Sequence, residues 1–244
     1  MARSIDPAPR AVRGFVPART DEERFLMRHV EDLARAAEGR SIARYSGFLS
    51  DREQDLARAA LNRADVPESD HHFAGGWPGA ERKLLCLEPE GCYPASPLCC
   101  VKLTCRTLSG AVLPSHKDYL GSLMGLELRR EALGDIVLPA DTPGTAYVFA
   151  LETAGELICR ELLQVGRTEV TTTLLSLDEV PEFPQAERKT QTATVSSLRL
   201  DAVLAAMLHC SRGQACEWIA AGRVEINHLP AESAHAPVYE GDVF

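Results

Sequence analysis

The stretch LRLDAVLAAMLHCSRGQACEWIAAGRVEIN, residues 198–227, decides how the rest of the chain is read. Leu200, Val203, Leu204, Met207 and Leu208 recur at i, i+3, i+4, i+7 and i+8, the stripe of one buried helix face. Arg199 and Asp201 flank its start. His209-Cys210 interrupts the pattern, and Ser211 with Gln214 forms an S-x-x-Q capping box that opens a second helix. Ala215, Trp218 and Ile219 give this helix its buried face, and Gly222 is placed to end it in the left-handed conformation. Val224 and Ile226 then alternate with Arg223, Glu225 and Asn227, the period of a half-buried strand. Asn227-His228 reads as a tight turn, and Val238, Gly241 and Asp242 mark a returning strand.

The start of the second helix offers free N–H groups and the positive end of a helix dipole, a setting that favours phosphate. Arg212 sits at that start, Arg199 at the start of the first helix, and Arg223 opens the strand. A guanidinium holds a phosphate through two parallel hydrogen bonds. Asp201 reads as a group that positions Arg199 or caps a helix, rather than one that performs chemistry.

Upstream, Asp178 to Thr194 has two prolines and several acids and reads as a linker. Before it, strands are expected at Lys83–Leu87, Leu98–Thr107, Asp135–Leu138, Thr145–Leu151 and Glu169–Leu177. Ser115–Leu126 reads as a helix burying Leu120, Leu123 and Met124. A capping box at Thr153 and Glu156 opens another, running to Gly166. From Leu98 the order is β-α-β-β-α-β, the ferredoxin-like pattern, with one extra strand in front. Residues 67–80, with His71, His72, Gly75, Gly76 and Gly79, read as a loop. Boxes at Thr20/Glu23 and Ser50/Glu53 open two N-terminal helices. Residues 1–19 read as a mobile tail. The expected fold class is therefore α+β. It has a helical N-terminal domain (20–80), a ferredoxin-like, RRM-like middle domain (81–178), a linker (179–194) and a two-helix C-terminal domain with a small β part (195–244).

Composition narrows the function. The chain has 244 residues and a net charge of -9, so it carries no global field for a polyanion. Residues 1–66 are net +1, residues 67–194 net -7 and residues 195–244 net -3, which restricts any RNA site to a local patch. No apolar run reaches the roughly 18 residues of a membrane span. The absence of a secretory pattern leads us to expect a cytoplasmic protein whose eight cysteines are reduced thiols. Cys86, Cys92, Cys99, Cys100 and Cys105 lack the paired spacing of a zinc site, so they are expected to pack as small apolar residues. Gly75-Gly76-Trp77-Pro78-Gly79 lacks the Lys-Ser/Thr of a phosphate loop, and no nucleophile elbow is present. No metal, cofactor or acid/base pair is expected.

Leu198 to Asp201, Ser211-Arg212 with Ala215, Ile219, Gly222, Val224, Ile226, Asn227 and Gly241-Asp242 together resemble the S4-type RNA-binding domain. Three further blocks carry a wider resemblance: Phe73 to Gly76 with Ala80-Glu81-Arg82, His116 to Leu126, and Arg129-Arg130-Glu131 with Gly134-Asp135-Ile136. Over residues 20–244 the chain is similar to the YlmH, or RqcP-like, family. That resemblance implies a non-catalytic RNA-binding protein of the large ribosomal subunit, contacting ribosomal RNA, with tRNA as a second candidate. It would act in translation or stalled-ribosome quality control, as a monomer when free. The implied RNA contacts are Arg199, Asp201, Ser211, Arg212, Gln214, Arg223 and Asn227, joined in the middle domain by His116, Lys117, Arg129 and Arg130. Two rival readings stay open. One is an RNA-modifying enzyme, pseudouridine-synthase-like, that docks through the S4-type domain. The other is an interaction module without RNA affinity.

Overall fold

A computed structural model describes residues 18–106, 112–184, 190–226, 229–239 and 242–244. Asn227, His228 and Gly241 lie outside the described residues, as does all but the end of the expected tail. The chain divides into two units, Met1–Pro184 and Gln185–Phe244.

Unit 1 begins with α1 (Asp21–Glu38), where the Thr20 hydroxyl accepts from the Glu23 N–H. Three acids in its first turn suit the helix dipole. The Ser50/Glu53 capping box opens α2 (Asp51–Arg63). Between and after these helices lies a sheet that the sequence reading does not contain: β1 (Arg44–Leu49), β2 (His71–Ala74) and β3 (Lys83–Leu87), ordered β1-β3-β2 and antiparallel. The N-terminal part is therefore helices on a sheet rather than helices alone. The expected loop at 67–80 contains a strand, and the extra strand before the ferredoxin-like unit belongs to this sheet. Met27, Val30, Ala34, Leu56, Ala60 and Leu61 from the helices meet Leu49, Leu85 and Leu87 from the sheet.

The second sheet has β4 (Leu98–Cys105), β5 (Leu133–Val137), β6 (Thr145–Leu151), a two-residue β7 (Gln164–Val165) and β8 (Thr168–Leu175). Its order is β5-β6-β4-β8-β7, all antiparallel. With α3 (His116–Met124) and α4 (Glu152–Glu161), this is the expected β-α-β-β-α-β winding. Helix α4 starts at once after β6, so the expected Thr153/Glu156 box is not its cap. It ends at Glu161, and Gly166 serves the β7–β8 turn with φ +59°. On α3 the buried residues are Tyr119 and Leu123, while Met124 is exposed.

Side-chain alternation along β4 builds two cores. Cys99, Val101 and Leu103 face α3 and α4. Leu98 and Cys100, with Tyr147 and Phe149 of β6, face Phe48, Leu84 and Cys86 of the first sheet. Unit 1 is thus helices, sheet, sheet, helices. The helix-free face that an RRM uses to stack bases is buried here, with Phe149 fully enclosed.

Unit 2 has α5 (Leu200–Met207), α6 (Arg212–Ala220) and a hairpin of β9 (Glu225–Ile226) and β10 (Leu229–Pro230). Leu200, Leu204, Ala215, Ile219, Val224 and Val238 form its core. Met207 and Leu208 of the expected stripe are exposed. Gly222 takes φ +66°, as its position predicts. Among the described residues, the returning segment contributes one bridge, Pro237 to Arg199.

Candidate RNA-binding site

The start of α5 is held by the segment before the C-terminus. The N–H groups of Leu200 and Asp201 donate to the carbonyls of Ala236 and Ala234 at 2.9 and 3.0 Å. That end of α5 is therefore already satisfied, and its contribution to the surface is its side chains. Arg199 is the N-cap residue, and Asp201 follows in the first turn with only 5% of its side chain exposed.

Both oxygens of Asp201 are saturated. Oδ1 accepts from Arg199 Nε at 3.1 Å and from the Ala202 N–H at 3.0 Å. Oδ2 accepts from Arg199 Nη2 at 3.0 Å and from Arg212 Nη2 at 2.8 Å. A carboxylate has about four lone-pair sites, and all four are used. Burial alone pushes the Asp201 carboxyl pKa up. The two guanidiniums pull it down further, and the net shift is below the usual carboxylate value. Asp201 is thus a clasp held in its ionised form at neutral pH.

The clasp brings together two cations from different helices. Arg199 and Arg212 keep 39% and 49% of their side chains exposed. Arg212 spends one of its five N–H donors on Asp201. The trio is net +1; three N–H donors of Arg199 and one of Arg212 are spent within the protein, and the remaining donors belong to half-exposed guanidiniums. His235, which the sequence reading did not select, accepts from Arg199 at its Nδ1. Ser211 and Gln214 are spent on each other: Ser211 Oγ accepts from the Gln214 N–H, and Gln214 Oε1 accepts from the Ser211 N–H. They set the pitch of α6 and so the position of Arg212. Arg223 is exposed just before β9, and no side-chain bond ties it to the pair among the described residues.

In unit 1, His116 and Lys117 are exposed in the first turn of α3, where Ser115 and Asp118 form a capping box. Arg129 is exposed. Arg130 is engaged locally, its Nη1 donating to the carbonyl of Leu133 at 3.0 Å. The blocks Ala80-Glu81-Arg82 and Gly134-Asp135 turn out to be bonded to one another. Asp135 accepts from the N–H groups of Glu81 and Arg82 at 2.8 and 3.1 Å and from the Trp77 indole at 3.2 Å. Arg82 donates to the carbonyls of Leu133, Phe48 and Arg130. Gly134 leaves no room for a side chain, since a Cβ there would lie 2.4 Å from Phe48 Cε1. These residues organise the fold of unit 1.

The cysteines of the 86–105 region pack as apolar residues where they are enclosed. Cys86, Cys99 and Cys100 are buried, and burial pushes their thiols up to about 12, 11 and 12. A thiol held protonated is a poor nucleophile and a poor metal ligand. No helix among the described residues is long and apolar enough to cross a membrane.

Two helices that clasp a pair of arginines, attached to a chain with a ferredoxin-like unit, define an S4-domain protein. Residues 198–244 match the S4 domain, and residues 112–179 match the "Putative RNA-binding domain in YlmH". Ribosome-associated protein quality control protein P2 of Bacillus subtilis (strain 168) is 31% identical over 226 residues, covering 92% of this chain and 85% of its own. Among solved structures, cell division protein ylmH from Streptococcus pneumoniae aligns with a TM-score of 0.55 at 14% identity. That alignment covers 68% of this chain and 98% of the other, and it speaks for the fold alone. The chain belongs to the YlmH family.

Proposed function

We propose that this protein is a non-catalytic, cytoplasmic RNA-binding factor of the large ribosomal subunit. It engages ribosomal RNA and the tRNA held there, in translation or the handling of stalled ribosomes. The observation that carries the reading is the pair of guanidiniums locked side by side on one buried carboxylate. Paired, outward-facing N–H donors fit adjacent phosphates and position a backbone without reading its sequence. The matched RNA-binding models and the ribosome-associated relative support the same assignment.

Catalysis by the Arg199-Leu200-Asp201 triplet is disfavoured by the same geometry. A nucleophile or general base needs a free lone pair, and Asp201 has all of its oxygen sites filled by donors. The arrangement suits a positioning role.

The test is a mobility shift with fragments of large-subunit ribosomal RNA, alongside sedimentation with ribosomal subunits at low salt. Wild-type protein shifts the RNA and travels with the large subunit, and both effects weaken steeply as salt rises. An Arg199→Lys, Arg212→Lys variant keeps the charge but loses the fixed forks, and it binds more weakly. Binding as tight as wild type by this variant and by an Arg199→Ala, Arg212→Ala variant would overturn the assignment.

A further inference from the structure

A groove of about 520 Å³ opens in unit 1, well within the size range of ligand sites. One wall is β2, the outer strand of its sheet, whose far edge pairs with no strand among the described residues. Ser96, Leu98 and Leu177 also line it, as does the Gly75 to Pro78 stretch at the end of the β2 strand.

That end is rigid. Gly76 has φ +90°, and a Cβ on it would lie 2.3 Å from Phe149 Cδ1, so the loop is pressed onto the inter-sheet core. Trp77 is fixed on three sides. Its indole N–H donates to Asp135, Gly79 lies against its six-membered ring, and Phe183 meets it edge-to-face at 5.5 Å. The groove's charges are uneven. His72 lies 3.7 Å from Glu88, whereas Lys83, half-buried, has no ion pair among the described residues. A fixed aromatic ring, an uncompensated ammonium, the Ser96 hydroxyl and two leucines therefore share one preformed cleft.

We propose that this groove takes a single unpaired nucleotide of a bound RNA, with its phosphate on Lys83 and its base against the Trp77 and Leu98 wall. The proposal rests on the RNA-binding reading and names a second contact for it, in the other unit. Unpaired bases stack on aromatic side chains while a cation holds the backbone, and a rigid cleft spends little on ordering. An extended peptide would use the free edge of β2 instead. The unpaired cation beside the ring favours the nucleotide.

Trp77 and Trp218 are the chain's two tryptophans, so Trp218→Phe leaves Trp77 as the single indole reporter. The full chain is titrated with adenosine 5′-monophosphate and, separately, with a short single-stranded oligoadenylate. Both are expected to change Trp77 fluorescence saturably, the oligomer at lower concentration. Lys83→Ala should raise the half-saturation roughly tenfold, the loss of one charge-assisted bond, and Lys83→Arg should recover most of it. Ser96→Tyr, at an exposed lining position, should block the response while the thermal melt stays unchanged. No response to either probe, in protein whose ribosomal RNA shift is intact, overturns the groove and leaves the arginine site standing. A response to the mononucleotide alone overturns the RNA as occupant. A normal Trp77 response in protein that fails to shift ribosomal RNA counts against the arginine site instead.

Discussion

In unit 1 the carboxylate of Asp135 collects two backbone N–H groups and an indole N–H; in unit 2 the carboxylate of Asp201 collects two guanidiniums and one backbone N–H. Asp135 reaches neutral donors more than fifty residues away, and the bonds close a loop onto a strand. Asp201 reaches charged donors at most eleven residues away, and the bonds leave those charges facing water. The first arrangement spends its free energy on the fold. The second spends it on fixing a cationic surface. An acid next to arginines is often read as neutralising an RNA site; on the proposed reading it instead sets the spacing of the two guanidiniums.

The comparison breaks most easily at Asp135. Asp135→Ala leaves three donors without an acceptor and should destabilise unit 1 by roughly 3 kcal/mol, at about 1 kcal/mol per lost bond. The urea midpoint should fall, while ribosomal RNA affinity, measured well below that midpoint, should drop far less than in the Arg199→Ala, Arg212→Ala variant, because Asp135 reaches RNA only through the Trp77 ring it positions. A lost shift with an unchanged midpoint would make Asp135 a functional residue after all.

Asp201→Asn sharpens the contrast. The variant raises the local charge by one, so a purely electrostatic site would bind RNA more tightly. A site that depends on positioned forks should bind several-fold more weakly. Unit 2 should lose roughly 2 kcal/mol, because the guanidiniums exchange a carboxylate for an amide. Stronger binding by this variant would show that the clasp holds the arginines back. Arg212→Ala should have a simpler signature, weakening RNA binding roughly tenfold and lowering the salt slope by about 1, uniformly across RNA sequences.

Much of this architecture is visible in local sequence. The Ser50/Glu53 and Ser211/Gln214 boxes and Gly222 mark helix ends through contacts within three or four residues, and each is found as read. The same short-range logic misses β1, because a bulge between Tyr45 and Phe48 breaks its alternation. It misses β2, whose four residues are flanked by glycines and proline and are stabilised by pairing with β3. At α4, Thr153 and Glu156 match a cap pattern, but β6 hands over directly to the helix one residue earlier. Gly166 is left-handed as a helix terminator would be, yet it serves a hairpin, since φ alone does not say which element it ends. In the site, the placement of Arg199 and Arg212 at two helix starts is readable from spacing; for Asp201 the sequence leaves open positioning of Arg199 or helix capping, and its bond to Arg212 is not readable. The contribution of His235 and the bonding of Asp135 to Glu81, Arg82 and Trp77 are not readable. They join residues far apart in sequence and have no local pattern.

The smallest expected effect is confined to acid. The Asp201 carboxyl is held below its ordinary pKa in the folded protein, so its ionised form stabilises unit 2. By linkage, that stabilisation is fully present above the unfolded value near 3.9, and it is lost as pH falls through the lower folded value. Between pH 5 and 8 the contribution should be flat. Wild type and Asp201→Asn should therefore differ in stability by a constant amount at neutral pH, and the two curves should approach each other once the pH drops below about 4. Urea unfolding followed through Trp218, in a Trp77→Phe background, measures this. A gap that stays constant through the acid range would mean that Asp201 acts by shape and not by charge, and the clasp would then lose its electrostatic basis.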